Sequence, residues 1–600
     1  MLESNSLAAK SMHEHKFRTP QELAVSQTDV KRILVIGSCL SQGLYHHAHR
    51  IFPHAQVDHI LYNFPGVADS ALPNTPDQYE FQLIYLPLRT IVPETMLANI
   101  SHESEEPFVA KFKEAKIRLV QTLDGALQYT QNSNLLTLIA EFLTPQQNLI
   151  GRLLPRHDFR NPTYFVEQLN KFIHELATQR TNTYVVQTDA IAATFGRKYI
   201  QEDYIWPWSH ASFANDWDSV HDTQRIVAPT KLSDLYPLNV QDFILAIWSE
   251  IDAMYRTIKQ QDSVKLVIID LDDTVWRGVV AEDGIHPYIL EGWPLGMIEA
   301  LKYLRHRGVI LTIVSKNEEA TINELWLKIV GGRLDLEDFA IRKINWRPKA
   351  ENIQEILTYT NLLPKNVLFI DDNPVERQAV QAAFPTIRTL GAELYSIRRI
   401  LLWAPELQVP YISQESSRRT QMIQDQVKRE TARSGMSRGD FLASLGIEVS
   451  IREISDITHG SFPRAFELIN KSNQFNTTGK RWSTEECSRA FAEGWRFSTF
   501  EVQDNHSSYG LVGVAIRNSS CLEQFVMSCR VVGLGVENAV IGFLCQHNGL
   551  RSGRIVETEA NSIVRDLFQK CGFHYEGTNW VTDGDLIEMP GHVAIEARSD

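Results

Sequence analysis

The stretch Val264-Lys265-Leu266-Val267-Ile268-Ile269-Asp270-Leu271-Asp272-Asp273-Thr274 decides how the middle of the chain folds. Its apolar, β-branched first half reads as a buried strand, and it runs directly into acidic residues two apart. On extended backbone such residues share a face, so Asp270 and Asp272 project to the same side. Further along, Ser315 follows Leu311–Val314, Lys349 opens a helical stretch after Arg347-Pro348, and Asp371-Asp372 follow Val367–Ile370. Short β-rich runs at Val264–Ile269, Val309–Val314 and Val367–Ile370 alternate with helical stretches. In one of these Met297, Leu301 and Leu304 recur at helical spacing ahead of Gly308. This alternation predicts a parallel sheet covered on both faces. Ligands of such sheets bind beyond the carboxyl ends of the strands, so all four polar groups belong to one crevice. Alone, D-L-D-D-T is an acidic turn; four ordered elements on alternating strands specify a site.

The whole chain has 600 residues, too many for one core, and a net charge of −14 with 43% apolar and 22% charged residues. The acidic balance excludes a general nucleic-acid or membrane-surface binder, which needs a basic face. No apolar run is long enough for a membrane span, and the N-terminus lacks the apolar core of a secretory signal. The six cysteines form no C-x-x-C pair, which argues against a structural zinc site and fits a reduced, cytoplasmic enzyme.

The segmentation follows from composition and periodicity. Residues 1–28 are polar and aperiodic and read as a poorly ordered arm. Residues 29–250 form a first domain, starting with the buried strand Ile33-Leu34-Val35-Ile36 that breaks at Gly37-Ser38-Cys39. The central domain occupies 255–413. Residues 414–438 are densely charged and read as an exposed linker. The last domain, 439–590, is an α+β module with strands at Gly510–Ile516 and Leu522–Ser528 and helices at Val536–His547 and Ser562–Lys570. The expected architecture is multidomain α/β.

The central motifs resemble those of the haloacid dehalogenase (HAD) superfamily of phosphatases, whose D-x-D-x-T, S/T, K and D-D blocks come in this order. The resemblance implies that Asp270 attacks phosphorus and that Asp272 serves as general acid and base. Ser315 and Lys349 would bind phosphoryl oxygens, with Thr274 and Asn317 beside them. Mg²⁺ would sit on Asp270, Asp272 (through its main-chain carbonyl) and Asp371, assisted by Asp372. Forty residues separate Thr274 from Ser315 and 33 separate Ser315 from Lys349, which leaves little room for a lid domain. An open site suits a substrate presented on another macromolecule.

In the last domain, Arg530-x-x-Gly533-x-Gly535 between a strand and a helix resembles the pyrophosphate loop of GNAT-type N-acetyltransferases. Cys529, just before it, reads either as an activated thiol or as a buried core cysteine. In the first domain, Gly37-Ser38-Cys39-Leu40-Ser41 resembles the first block of SGNH hydrolases. Cys39 stands at the nucleophile position, Ser41 is equally well placed in the turn, and His210 or His221 is the candidate base. Ser38 replaces the usual Asp and the middle blocks are missing, which also fits a degenerate docking domain.

Together the three modules resemble the FkbH-like proteins, a group with an HAD subfamily IIIC domain. The text agrees in Asp270–Gly284 (DLDDTVWRGVVAEDG), Ser315-Lys316-Asn317, Ile469–Thr477 (INKSNQFNT), Met527–Gly535 (MSCRVVGLG) and Gly151–Asn161 (GRLLPRHDFRN). This implies a glyceryltransferase/phosphatase. It would take D-1,3-bisphosphoglycerate, remove phosphate and deliver a glyceryl unit to the phosphopantetheine thiol of an acyl carrier protein, for polyketide biosynthesis. Cys529 is then a candidate acyl relay, and Arg530, Gly533 and Gly535 would hold the pantetheine phosphate. Two other readings stand beside it: a phosphatase of a free phosphometabolite, and an acyl-CoA acyltransferase with an inactive HAD site.

Overall fold

The computed structural model describes residues 19–62, 72–130, 133–197, 200, 224–228, 230, 240–412, 419–425, 427, 437–472, 474–505, 507–558, 561–583 and 587–598. The chain divides into two compact units, Met1–Ser263 with Arg398–Tyr411, and Val264–Ile397 with Ile412–Asp600.

The first unit is built on a parallel sheet of β1 (Arg32–Gly37), β2 (Gln56–Leu61), β3 (Phe81–Tyr85), β4 (Leu136–Ala140) and β5 (Thr183–Val186), in the order β2-β1-β3-β4-β5. Alternation along β1 sends Leu34 and Ile36 to one face and Ile33 and Val35 to the other. The first pair packs on α1 (Glu106–Leu127) and α2 (Pro162–Thr178) through Leu119, Leu123, Phe165 and Leu169. The second pair packs on α3 (Val240–Lys259) through Phe243, Ile247, Trp248 and Ile251. A strand covered on both faces has no polar side, which is why its sequence is an unbroken apolar run.

Two boundaries of the first domain differ from expectation. Residues 19–28, read as part of a poorly ordered arm, are tied to α3 and the turn after it. Thr19 Oγ1 donates to Glu250 at 3.0 Å, Thr28 bonds Asp252, Ser26 Oγ donates to Asp262 at 2.8 Å, and Leu23 is fully buried. A polar segment with few apolar residues docks here by side-chain hydrogen bonds, which periodicity does not reveal. Arg398–Tyr411, expected in the central domain, instead belongs to the first unit. Its Glu406 lies 2.6 Å from Arg256 of α3, and both side chains are buried.

The second unit contains two sheets. One joins β6 (Leu266–Ile269), β7 (Ile310–Ser315), β8 (Ile341–Ile344), β9 (Val367–Ile370) and β10 (Arg388–Leu390), all parallel, in the order β10-β9-β6-β7-β8. Between its strands run α4 (Trp293–His306), α5 (Glu319–Val330), α6 (Lys349–Thr360) and α7 (Pro374–Ala383). The interval from Thr274 to Ser315 holds only a short helix at Val280–Asp283, α4 and β7, so no cap domain stands there among the described residues. Part of the expected linker is not exposed: residues 419–425 and 427 are helical, and Ile423 is buried in the core with Ile353, Ile356 and Phe369.

The other sheet is mixed, in the order β16-β17-β15-β14-β13-β12-β11-β18. Its strands are β11 (Ile447–Ile454), β12 (Arg496–Gln503), β13 (Ser508–Asn518), β14 (Cys521–Met527), β15 (Ser552–Gly553), β16 (His574–Glu576), β17 (Asn579–Val581) and β18 (Val593–Ala597). β18 lies beyond the expected end at residue 590 and pairs parallel to β11. α8 (Val536–Asn548) packs on the sheet through Val540, Ile541 and Leu544, while the expected helix Ser562–Lys570 is broken into two short turns. Among the described residues no helix is long and apolar enough to cross a membrane.

Removing one member of a buried ion pair strands the other charge. Arg256→Met is therefore expected to destabilise the first unit by about 3–5 kcal/mol, read by denaturant unfolding, with partial rescue by Glu406→Gln. Burial raises the Glu250 carboxyl above its ordinary range despite the Thr19 hydrogen bond. A carboxyl raised on folding costs stability once it is ionised, and that cost vanishes as pH falls through its folded value. Glu250→Gln is expected to raise the melting temperature by about 1–3 °C at pH 7.5, with the gain shrinking on acidification; a gain that grew toward acid would contradict this.

Candidate active site

The register of the central sheet brings the motif residues together. Ile269 of β6 is level with Ile370 of β9 and Ile313 of β7, so the residues that follow, Asp270 and Asp371, emerge side by side with Ser315 next to them. All sit at the carboxyl edge, where side chains leave the ladder and face a common space.

Lys349, the first residue of α6, reaches into this space. Its Nζ lies 2.6 Å from Asp371 Oδ2 and 3.0 Å from Asp270 Oδ1, and all three side chains are buried. Burial disfavours the lysine charge, but Asp270 and Asp371 together outweigh it and hold its pKa above the ordinary value. For Asp270 burial wins: it pushes the carboxyl up to about 6, with Asp371 adding repulsion, against the attraction of Lys349 and a hydrogen bond from Ser315. Asp372 is raised by burial and by Asp371. Thr274 is fully buried; its Oγ1 donates to Asp372 Oδ1 at 3.2 Å and accepts from Asp372 N at 3.1 Å.

Asp272 is held differently. Its Oδ1 accepts from Trp276 Nε1 at 2.9 Å and from Val280 N at 3.2 Å, and its Oδ2 accepts from Asn317 Nδ2 at 2.8 Å. Asn317 also reaches Ser315 Oγ at 3.1 Å. Neutral donors thus orient Asp272 close to Asp270 yet apart from the lysine. One carboxylate faces a cation and the other does not, which is the condition for different roles.

Asp270, Asp371 and Asp372 can each direct an oxygen within 4.8 Å of the others. Three carboxylates against one ammonium leave negative charge for a divalent cation to offset, and an all-oxygen donor set suits Mg²⁺. The side chain of Asp272 is outside this cluster, held by Trp276, Val280 and Asn317; the contact expected of Asp272 with a metal is through its main-chain carbonyl.

Two supporting residues were not anticipated. Arg377 of α7 donates through Nη1 to the carbonyls of Asp371 and Asp372 at 2.5 and 2.6 Å, fixing the turn that carries them. Gly391 has φ +136°, and a Cβ there would lie 1.8 Å from the Asp371 carbonyl oxygen. Trp276 and Arg377 stand within the motif text itself, DLDDTVW and DDNPVER, so the signal was present in the sequence. Gly391 acts across β10 and β9 and leaves no local trace.

The other predicted sites are less assembled. In the last sheet, Cys529 opens a short turn, Cys529–Val531, after β14. Gly533 and Gly535 both adopt φ +83°, and Gly535 caps α8, so these glycines are where only glycine is unstrained. The Arg530 guanidinium, however, turns to Ser528 Oγ (2.8 Å), Met422 Sδ (2.9 Å) and the Tyr509 carbonyl (3.4 Å). Glu537 places a carboxyl in the first turn of α8, its pKa raised by burial. The motif Ile469–Thr477 ends in a segment that occupies the free end of β14: Met527 N donates to Phe475 O and Thr477 N to Phe525 O, both at 3.0 Å.

In the first unit Cys39 is half-buried, and Ser41 is buried in the same turn. His210 and His221 lie outside the described residues. The partner the structure does bring to Ser41 is His59 of β2, with Nε2 2.8 Å from Oγ; Ser41 Oγ also donates to Ser38 O at 2.6 Å. Burial, then His46, lowers the His59 pKa, and Tyr45 stacks on its ring at 5.7 Å. His59 was missed because its nearness depends on β1–β2 pairing.

No protein-family model matches the chain, and no curated protein matches it either. Among solved structures, the N-terminal, phosphatase-containing part of the Bacteroides fragilis protein BF1531, complexed with Mg, aligns at 18% identity and a TM-score of 0.45 over 65% of this chain and 96% of its own. The 3-deoxy-D-manno-octulosonate 8-phosphate phosphatase of Moraxella catarrhalis, with magnesium, phosphate and KDO, aligns at 13% and 0.17 over 25% and 90%. The lipase Lip_vut3 from a goat rumen metagenome aligns at 10% and 0.21 over 30% and 90%. The chemistry assigned to the central site therefore comes from its own side chains.

A methyl group at Gly391 must displace the Asp371 carbonyl. Gly391→Ala is expected to weaken Mg²⁺ binding by about 10–100-fold in calorimetry with secondary structure intact by circular dichroism; unchanged affinity would mean that the Asp371 turn tolerates the shift.

Proposed function

We propose that the protein is a magnesium-dependent phosphatase of the HAD type that acts on a phosphorylated glycerate and, with a carrier protein, transfers a glyceryl unit. The observation that carries the phosphatase reading is the pairing of a buried Asp270–Lys349–Asp371 cluster with a separately oriented Asp272.

The residues support a two-step displacement. Asp270 Oδ forms a bond to phosphorus as the P–O bond to the leaving alcohol breaks, and Asp272, protonated, gives that oxygen its proton. Water then attacks the aspartyl-phosphate, Asp272 takes its proton, and phosphate leaves while Asp270 is restored. Lys349, Ser315 and Asn317 face the phosphoryl oxygens and stabilise their charge. A Mg²⁺ ion held by Asp270, Asp371 and Asp372 supplies charge neutralisation for phosphate and nucleophile when bound.

The transfer half needs no ATP. In an acyl phosphate the carbonyl carbon is already activated: a thiolate adds, the C–S bond forms, and the C–O bond to phosphate breaks. The resemblance points to the pantetheine thiol of an acyl carrier protein as final acceptor, with Cys529 as an intermediate relay. The ester phosphate is the substrate of the central site.

A second reading, a phosphatase of a free phosphometabolite, is favoured by the C-terminal turn. Arg530 is engaged by Ser528, Tyr509 and Met422, and the β14 edge is filled by Phe475–Thr477. The same features weigh against an acyl-CoA acyltransferase.

The deciding experiment incubates the protein with 1,3-bisphosphoglycerate, Mg²⁺ and a holo carrier protein, and reads phosphate release and intact mass. The proposal expects a glyceryl carrier, with Asp270→Asn abolishing release from the ester and Cys529→Ala removing any adduct on the enzyme. Phosphate release without an acylated carrier selects the second reading. Undiminished release by Asp270→Asn sinks the nucleophile assignment.

A further inference from the structure

Two ammonium groups stand at the carboxyl edge of the central sheet, one buried and one partly exposed. The inner one, Lys349, is buried between Asp270 and Asp371. The outer one is Lys316, the residue immediately after β7. Its Nζ lies 2.6 Å from Oε1 of Glu376 in the first turn of α7, the helix that follows β9. Because β6 lies between β7 and β9, this outer pair passes over the strand end that carries Asp270.

The two bridges differ in what they can do. Lys349 is 4% exposed and lies against two carboxylates at the reacting end of the site. Lys316 is 41% exposed and serves one, Glu376, itself 17% exposed. A partly exposed ion pair contributes little to stability, so an incoming anion can replace Glu376 at small cost. The backbone beneath Lys316 is fixed on both sides. Asn345 N donates to Ser315 O at 3.1 Å, and Asn317 is held by Asp272 and Ser315 Oγ. Glu376 is fixed through its neighbour Arg377, which grips the Asp371 and Asp372 carbonyls. The lysine is thus held by Glu376 at this edge before any ligand arrives, and part of its ordering cost is already met.

We infer that Lys316 reads a second anionic group on the substrate. The central site takes a phosphomonoester that carries another phosphate or a carboxylate. Its phosphoryl end lies at Asp270, and its second anion exchanges with Glu376 on the Lys316 ammonium. An inner cation that serves the reacting phosphate and an outer one that serves the rest of the molecule discriminate against monoanionic or neutral leaving groups. No bond is made or broken at Lys316. The inference rests on the phosphate site proposed above and narrows its substrate class to multiply anionic esters.

The test uses the full chain with Mg²⁺ and p-nitrophenyl phosphate as reporter substrate. Inorganic phosphate and 3-phosphoglycerate are the competing ligands, and the readout is the ratio of their inhibition constants. Wild type is expected to prefer 3-phosphoglycerate. Lys316→Gln should reduce that preference about tenfold, the size of one charge-assisted contact, while Glu376→Gln should increase it. A ratio that Lys316→Gln leaves unmoved overturns the inference, whether both ligands weaken equally or neither does. If wild type does not hydrolyse the reporter, the phosphatase reading fails; the affinities of the same two ligands by calorimetry then decide the role of Lys316 by the same ratio.

Discussion

The buried ammonium of Lys349 is the constraint on which the carboxyl edge of the central sheet depends. Burial disfavours its own charge and that of Asp270, so neither is tolerable alone. The arrangement requires Asp270 and Asp371 to emerge level, which the β6–β9 register provides by setting Ile269 opposite Ile370. It also requires α6 to begin at the lysine, and Pro348 just before it marks that start. Arg377 and Gly391 then serve the same end, holding or making room for the Asp371 backbone. A fold-level feature, strand register, and a single side chain are thereby fixed together.

Placing two carboxylates two residues apart creates a problem that the surroundings of each resolve. Asp270 is drawn toward Lys349, and Asp272 is drawn away by an indole N–H, a backbone N–H and an amide. Carboxylates kept in two environments can take different roles in one reaction. Trp276 is therefore more than core filling. It is fully buried beside Trp326, 5.8 Å between ring centroids, so the packing of the sheet's covering layer fixes where its N–H points.

Much of the central site was legible because each of its residues closes a strand or opens a helix, and those positions can be read from local periodicity. What was hidden depends on pairing. His59 meets Ser41 only through β1–β2 neighbourhood, and Gly391 meets Asp371 only through β10–β9. Domain edges failed for a related reason. Residues 19–28 carry few apolar side chains in period, and their attachment lies in particular polar partners, Glu250 and Asp252; Arg398–Tyr411 is apolar, and its place is marked by the long-range pair of Glu406 with Arg256. In the last domain the glycines of the 533–535 turn were readable from residue type, since positive φ is a local demand. The filling of the β14 edge by Phe475–Thr477 was not, because the two segments are far apart in sequence.

The net charge of −14 gives these placements a consequence. A phosphorylated ligand approaches against the protein's overall field, so the balance of charge at each candidate pocket decides where it can settle. At the C-terminal turn Arg530 is directed to protein groups, Arg438 donates to the Gly533 carbonyl, and Glu537 sets a carboxyl in the first turn of the helix that follows. At the central edge the carboxylates outnumber the cations, yet their spacing admits a divalent ion, which would offset the excess negative charge. Phosphate binding there would therefore depend on that ion. An acidic protein gains from such an arrangement, because anions that arrive without a metal in place would meet more carboxylate than ammonium at this edge.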